Sequence, residues 1–235
     1  MFPIGDDNSD RTITPFVNYL FIGLNIIVFL LFQQLGSNDA FSYAFSLVPK
    51  EVTSGIDISG VQVIRDSFGN TGRIEHFETP FPVYFNFLTS MFMHGGIAHI
   101  FGNMLFLWVF GDNLENLLGH VRFAIFYIAC GFAAALAQVI MDTDSIIPML
   151  GASGAISGVL GGYVLLFPQR QVRALIFNFL TTVPAFVAIG IWIVYQLVLG
   201  YMTPAGTGGV AYAAHIGGFV AGVALVKLFA IGRRV

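Results

Sequence analysis

The sequence predicts an all-α membrane protein: a bundle of six transmembrane helices with a long loop after the first helix. Two observations predict this class. Of the 235 residues, 56% are hydrophobic and only 10% are charged, whereas a soluble domain carries about 25% charged residues. Six apolar runs also follow one another along the chain, and a helix of about 20 such residues crosses the hydrocarbon core of a bilayer. The chain therefore lacks the polar surface that a water-soluble globule needs.

Net charge, cysteine content and the N-terminal residues bear on partners, disulfides and targeting. The net charge of −3 gives no indication of a nucleic-acid partner. The lone cysteine, Cys130, has no second cysteine with which to form an internal disulfide. The N-terminus has no basic region, and no cleavage motif follows the first apolar run, so we expect that run to be retained as a helix and not removed as a signal peptide.

The chain divides into a polar tail, residues 1–14, and an expected six-helix core, residues 15–235. The expected spans, in order, are 15–34, 96–110, 121–141, 150–167, 184–201 and 210–231. Proline stands at the start of the first and the fifth span, a position that favours it because the first N–H groups of a helix have no partner within it.

The segments between the spans differ in character. The long first loop, 35–83, carries many acidic residues, and a connection of this length is usually functional or mobile. Its aromatic-rich end, Phe77 to Phe92, either dips into the membrane interface or anchors the loop as an aromatic belt. Residues 111–119 are expected to form a turn, 174–180 a short interfacial piece, and 200–209 a Gly/Thr/Pro loop.

The basic residues predict the orientation. Six spans place both termini on one side, and seven basic residues fall on that side: Arg11, Arg122, Arg170, Arg173, Lys227, Arg233 and Arg234. Lys50, Arg65 and Arg73 fall on the other side, in the long loop, which counts for less. The positive-inside rule therefore predicts a multi-pass protein of the cell (inner) membrane with both termini in the cytoplasm.

Five polar residues share one depth in this arrangement. Ser153 lies a few residues into span four, His215 lies a few residues into span six, and His94, His99 and Asn103 lie at or within the outer end of span two. Each alone has a simple structural explanation: a serine bonds its own backbone, and an interhelical hydrogen bond contributes about 0.6 kcal/mol. Polar and ionisable residues within spans are nevertheless costly, and five at one level on three spans predict a functional site.

Glycines predict how these spans meet. Small residues recur every four positions in spans four and six, which lets helix backbones approach closely. They are Gly154, Gly158 and Gly162 in span four and Gly218 and Gly222 in span six. Packing along these stripes would bring Ser153 close to His215, although such stripes are common in membrane proteins.

A serine and a histidine within hydrogen-bond reach form a nucleophile and its general base. Acyl transfer also needs donors for the developing oxyanion, and the side chains of His99 and Asn103 and the N–H of Ser153 are candidates. No aspartate lies at the same depth, since Asp142 and Asp144 belong to a loop. We therefore expect a Ser-His dyad that uses no metal and no cofactor.

Four segments together resemble the rhomboid intramembrane serine proteases. They are Gly151-Ala152-Ser153-Gly154, Ala214-His215-Ile216-Gly217-Gly218, His94-x4-His99-x3-Asn103 and Gly111-Asp112-Asn113-x-Glu115-x3-Gly119. The resemblance covers about residues 15–232. It implies a six-helix rhomboid core that cleaves transmembrane protein substrates near the outer face of the lipid bilayer, with span five and the following loop as the candidate substrate gate.

The resemblance also implies roles for single residues. Ser153 would be the nucleophile and His215 the base, His99 and Asn103 would support the oxyanion, and His94 would shape a water-filled cavity. We assign Glu115 a structural role in holding the second loop.

Two positions depart from the family pattern. Phe85-Asn86 stands where many members have a Trp-Arg pair. Ser157 stands where many members have a tyrosine packed on the histidine, which leaves open what holds the His215 ring.

Two other functions compete with proteolysis. A non-proteolytic rhomboid-like chaperone or adaptor usually lacks the serine or the histidine, and both are present here. A transporter or metal channel using the three histidines would line a path, whereas these residues share one depth, and neither an intramembrane carboxylate nor a repeat joins them. No His-Glu-x-x-His motif or intramembrane aspartate pair indicates another class of intramembrane protease. The sequence does not predict an oligomeric state.

Overall fold

The computed structural model describes residues 2–65, 71–176, 179–203 and 209–233. Within these ranges the chain is mostly helical, with two small antiparallel sheets. The α-helices are α1 (Phe16–Ile27), α2 (Asp39–Ala44), α3 (Pro49–Ser54), α4 (Asn86–Thr89), α5 (Ile97–Leu118), α6 (His120–Met141), α7 (Ser153–Leu166), α8 (Ala185–Met202) and α9 (Tyr212–Phe229). The strands are β1 (Phe2–Asp6), β2 (Gly60–Arg65), β3 (Thr71–His76), β4 (Gln171–Ile176) and β5 (Phe179–Pro184).

Three helices in the described ranges, α6, α8 and α9, are long and apolar enough to cross a membrane. A fourth span results if Val83–Phe92 and α5 are taken together, although these two are bent by 79° at the break between them. The helix Phe16–Phe32 and α7 are apolar but shorter. The fold is thus that of a multi-pass membrane protein; this criterion gives three or four spans in the described ranges, and the expected number of six stays a prediction.

Helix α7 forms the centre of the bundle. Its ten consecutive residues from Gly154 to Tyr163 are all buried, and it packs against α9, α6 and α5. A helix that is apolar on every side is either buried in a protein core or exposed to lipid, and α7 is buried. The residue that opens α7, Ser153, therefore lies at one end of the bundle core.

The prediction of a turn at 111–119 is wrong, because α5 continues as a helix to Leu118. The polar side chains in this stretch find partners on the N-terminal segment. Asp112 pairs with Arg11 at 3.0 Å, and the Asn113 amide donates to Asp6 at 2.7 Å. These partners satisfy groups that would otherwise favour a solvated turn.

Glu115 has a structural role, but it holds the start of α1 and not the second loop to which it was assigned. Its buried carboxylate accepts the backbone N–H groups of Val17 at 2.9 Å and Asn18 at 2.7 Å. It also lies 2.5 Å from Nδ1 of His120. Because the first N–H groups of a helix have no intrahelical acceptor, Glu115 fixes the start of α1 against the end of α5.

The expectation of an all-α protein is also incorrect, because the tail and the segment after α7 form strands. β1 pairs with β4 and β4 with β5, all antiparallel. In β4 the buried residues Val172 and Ala174 alternate with exposed ones, which is the period of a half-buried strand. Arg170 joins this sheet to the tail through Asp10 at 2.5 Å.

The long first loop contains two short helices, α2 and α3, and the hairpin β2–β3. Its middle is fixed to the segment that precedes α7: Leu47 and Met149 exchange backbone hydrogen bonds at 2.9 and 2.7 Å. The Lys50 N–H donates to Ser145 O at 3.0 Å. The loop therefore covers part of the approach to Ser153.

Some predicted features are not tested by the described ranges. Residues 66–70 of the first loop, 204–208 of the 200–209 loop, and Arg234 lie outside them. The interfacial or belt role of the aromatic segment stays a prediction.

Candidate active site

The backbone before Ser153 is shaped by a glycine. Gly151 has φ +131°, a backbone conformation that residues other than glycine rarely adopt. A Cβ atom at this position would lie 2.9 Å from Cε1 and Nε2 of His99 and 3.6 Å from Ser153 Oγ. The Gly151 N–H donates to Ser90 O at 2.8 Å, which holds the turn. Because Gly151 has no side chain, the His99 ring and the Ser153 hydroxyl can both occupy the space beside it.

The Ser153 hydroxyl meets His215 where α7 and α9 begin. Its Oγ atom lies 2.7 Å from Nε2 of the imidazole, a normal hydrogen-bond distance. His215 is 9% exposed, and Ser153 is half-buried. This is the geometry that a serine nucleophile and its general base require.

The glycines of α7 and α9 account for this meeting. A Cβ at Gly218 would overlap the carbonyl oxygen of Gly154, and one at Gly222 would overlap that of Gly158. The two backbones are therefore in direct contact over more than one helical turn. Contact this close brings side chains in the first turns of the two helices within hydrogen-bond reach.

The other imidazole nitrogen has a partner that the sequence analysis missed. His215 Nδ1 lies 2.7 Å from the Oε1 atom of Gln196, a buried amide on α8. The rings of Trp192 and Tyr212 flank the imidazole, with centroids 5.9 and 6.4 Å away. The signal was available in the sequence, since Gln196 is a lone amide within an apolar span.

Ser157 forms no hydrogen bond with the imidazole among the described residues. It is fully buried, and its hydroxyl donates to the backbone oxygen of Ser153 at 2.6 Å. This is the local back-bonding expected of a serine inside a helix. The partners of His215 therefore come from α7, α8 and its own helix through other residues.

His99 directs a nitrogen toward the serine. The Gly95 N–H donates to Nδ1 of His99 at 3.3 Å. In the neutral ring the proton is then on Nε2, the atom that lies against Gly151. His99 therefore presents a donor on the Ser153 side.

Asn103 and His94 form a pair behind His99. The Asn103 amide nitrogen lies 2.9 Å from His94 Nε2, and its second hydrogen remains free for another acceptor. His94 is 1% exposed. Its backbone is held by Gln33, another residue that the sequence analysis missed, through two hydrogen bonds of 2.9 Å.

A cavity of about 720 Å³ contains these groups. Its polar lining includes Ser153, His215, His99 and Asn103, and much of the remaining wall is apolar. His94 lies behind this wall and shapes it through Asn103. Within the described ranges, no group of three or more His, Cys, Asp or Glu side chains converges as metal ligands.

The family model of the rhomboid domain matches residues 82–231 of the chain. The chain is 30% identical to "Rhomboid protein 1, mitochondrial" of Saccharomyces cerevisiae over 214 residues, which is 87% of this chain and 51% of that protein. It is 27% identical to "Rhomboid protease GluP" of Bacillus subtilis over 226 residues, which is 94% of this chain and 37% of that protein.

A third relative is named as inactive. The chain is 40% identical to "Inactive rhomboid protein 1" of Drosophila melanogaster over 89 residues, which is 38% of this chain and 6% of that protein. The chain thus spans about half the length, or less, of these curated relatives.

Proposed function

The chain belongs to the rhomboid family, and from that premise we propose that it is an intramembrane serine endopeptidase that works through Ser153 and His215. The observation that carries the proposal is the 2.7 Å distance between Ser153 Oγ and His215 Nε2. The surrounding cavity and the relative that is itself named a protease support it.

The reaction starts at the hydroxyl of Ser153. As Oγ attacks the carbonyl carbon of the scissile peptide bond, Nε2 of His215 takes the hydroxyl proton. The tetrahedral intermediate collapses when the C–N bond breaks, and the imidazolium returns the proton to the leaving amine. Water, deprotonated by the same nitrogen, then hydrolyses the acyl-enzyme and regenerates the serine.

We propose three donors for the oxyanion. The N–H of Ser153 opens α7 and has no intrahelical acceptor. The Nε2–H of His99 and the second amide hydrogen of Asn103 face the same cavity. Donors aimed at a developing oxyanion typically contribute about 10²–10³ each in rate.

The substrates we propose are transmembrane segments of other membrane proteins, cleaved near the outer membrane face. A helical backbone has its carbonyls hydrogen-bonded internally, so the site selects segments that unwind at small or helix-breaking residues. In this proposal the core, residues 15–235, crosses the cell (inner) membrane six times, α1 and α7 count as short spans, and both termini lie in the cytoplasm.

Labelling tests the proposal directly. Purified protein in detergent is treated with a fluorophosphonate probe, which reacts with activated serines, and is given a model transmembrane substrate. The wild type is expected to be labelled and to cleave, and Ser153→Ala is expected to do neither. Ser54→Ala, which removes an exposed hydroxyl on α3, is the matched control. Full labelling of Ser153→Ala would remove Ser153 as the nucleophile.

One observation favours a second candidate, a non-proteolytic membrane chaperone or adaptor: a relative of this chain is named inactive. A wild type that binds a transmembrane segment, takes up no probe and leaves the segment intact would support this function and exclude the protease.

A further inference from the structure

We propose that Gln196 is a positioning residue for catalysis: its side-chain oxygen holds the proton of His215 on Nδ1, which keeps Nε2 free to accept the proton of Ser153. This inference rests on the proposed protease function and adds a third residue to the dyad.

The contact geometry defines the tautomer. Gln196 Oε1 lies 2.7 Å from Nδ1 of His215, and a carbonyl oxygen can only accept. Nδ1 must therefore carry a hydrogen and donate it. In a neutral imidazole the other nitrogen is then unprotonated, and Nε2 is the atom that faces Ser153 Oγ at 2.7 Å. A general base needs this tautomer, because the other one would present an N–H to the serine hydroxyl.

No carboxylate takes this role within the described ranges. No Asp or Glu forms a hydrogen bond or an ion pair with His215 there. The titratable groups that face the ring are His99 of α5 and Tyr212 of its own helix. α8 carries no Asp, Glu, Lys, Arg or His, and α6 carries two such residues, His120 and Arg122, both in its first turn. The amide oxygen is thus the acceptor that orients the imidazole.

The packing of α8 indicates that this contact is specific. Four residues of α8 are buried, and three of them, Ala185, Ala188 and Ile189, lie in its first five positions. In the remaining part of the helix Gln196 is the one buried residue, whereas its neighbours Tyr195 and Leu197 are 58% and 49% exposed. A polar side chain buried at this point, on a helix otherwise facing outward, needs the hydrogen bond that His215 supplies.

This arrangement links the base to the position of α8. The outer half of α8 meets α9 mainly at Gln196–His215, at the flanking Trp192, and where Gly200 lies against Tyr212. If α8 moves away from α9, His215 loses its orienting acceptor. The serine is therefore activated fully only when α8 is docked.

The experiment compares Gln196→Leu with Gln196→Glu in detergent, using fluorophosphonate labelling rates and kcat and KM for a model transmembrane substrate from pH 5 to 9. Gln196→Leu removes the acceptor, so kcat should fall about 10–100-fold with KM unchanged, as expected for one hydrogen bond to a group that becomes charged. Gln196→Glu restores an acceptor and adds a negative charge that stabilises imidazolium. Its kcat should recover at high pH, and the acidic limb of its pH profile should move to higher pH.

Leu197→Ala, on the exposed side of the same helix, is the control and should behave as the wild type. A Gln196→Leu protein with the kcat and pH profile of the wild type would overturn the inference. So would a Gln196→Glu profile that does not shift, and this second variant decides the question if Gln196→Leu does not fold. Absence of labelling in the wild type, or its persistence in Ser153→Ala, would instead overturn the protease function and this inference with it.

Discussion

The Nε2 atom of His215 lies 2.7 Å from the Oγ atom of Ser153, although 62 positions separate the two residues and they lie in the first turns of different helices. The contact depends on α7 and α9 lying backbone to backbone. Gly218 holds this contact and His99 and Asn103 act beside it, whereas Glu115 fixes the junction of α1 and α5 and Glu51 lies in the first loop.

Enlarging one interface glycine should separate the two helices. In Gly218→Ala the new methyl group would overlap the carbonyl oxygen of Gly154, and an overpacked core costs typically about 1–3 kcal/mol. We expect a lower unfolding midpoint and at least a tenfold loss of cleavage rate. Gly190→Ala, where the methyl group meets nothing within 4 Å, should match the wild type. Equal activity of both variants would mean that the helix contact does not set the Ser153–His215 distance.

Removing an oxyanion donor should slow chemistry without weakening binding. His99→Ala and Asn103→Ala are each expected to reduce kcat by about 10²–10³ with little change in KM, because the donors act on a charge present only in the transition state. Steady-state kinetics on a model transmembrane substrate measure both constants. Phe101→Leu, at a 62% exposed position of the same helix, controls for helix perturbation. A rise in KM with unchanged kcat would assign these residues to substrate binding instead.

Glu115→Gln should destabilise the fold and leave the chemistry intact. The carboxylate accepts two backbone N–H groups of α1 and contacts His120, and hydrogen bonds to a charged group contribute about 1.5–3 kcal/mol each. We expect a stability loss of about 2–4 kcal/mol in a detergent unfolding titration, with normal probe labelling of the folded fraction. Asp144→Asn, an exposed loop position, should change neither quantity. A labelling defect in folded Glu115→Gln would connect this helix junction to the active site.

The stability of the first loop should depend on the protonation of Glu51. Burial raises the pKa of this α3 carboxyl from 4.5 to about 7, so the folded state keeps a proton that the unfolded state releases. Stability should therefore fall as the pH rises from 4.5 to 7 and stay level above that. Glu51→Gln mimics the protonated form and should be more stable than the wild type by about 1–3 kcal/mol above pH 7, with no difference below pH 4.5.

Unfolding midpoints measured across this pH range test the Glu51 prediction. Glu75→Gln removes the same charge from an exposed position on β3 and should leave the pH dependence unchanged. A Glu51→Gln protein that keeps the wild-type slope between pH 4.5 and 7 would contradict it.

The sequence predicted the membrane class, the bounds of α6, α8 and α9 to within two residues, and the residues Ser153, His215, His99 and Asn103 that line one cavity. These features depend on local composition and on helix length, which a single chain reveals. It failed where polar residues are satisfied by distant partners. Residues 111–119 look like a turn because nothing local shows that Arg11 and Asp6 will reach Asp112 and Asn113. The segment 174–180 was predicted to be an interfacial piece, whereas its described residues belong to strands: β4 lies between the adjacent β5 and β1, which is some 170 residues earlier in the chain.

By itself, then, the sequence determined which side chains are available for chemistry: one serine between glycines, three histidines and an asparagine at one level. Only the tertiary structure decided how they are held. A histidine ring has two nitrogens, and which one faces the serine depends on the acceptor at the other. That acceptor is Gln196, on a third helix. Its identity depends on how α8 packs against α9, a relationship that no local pattern encodes.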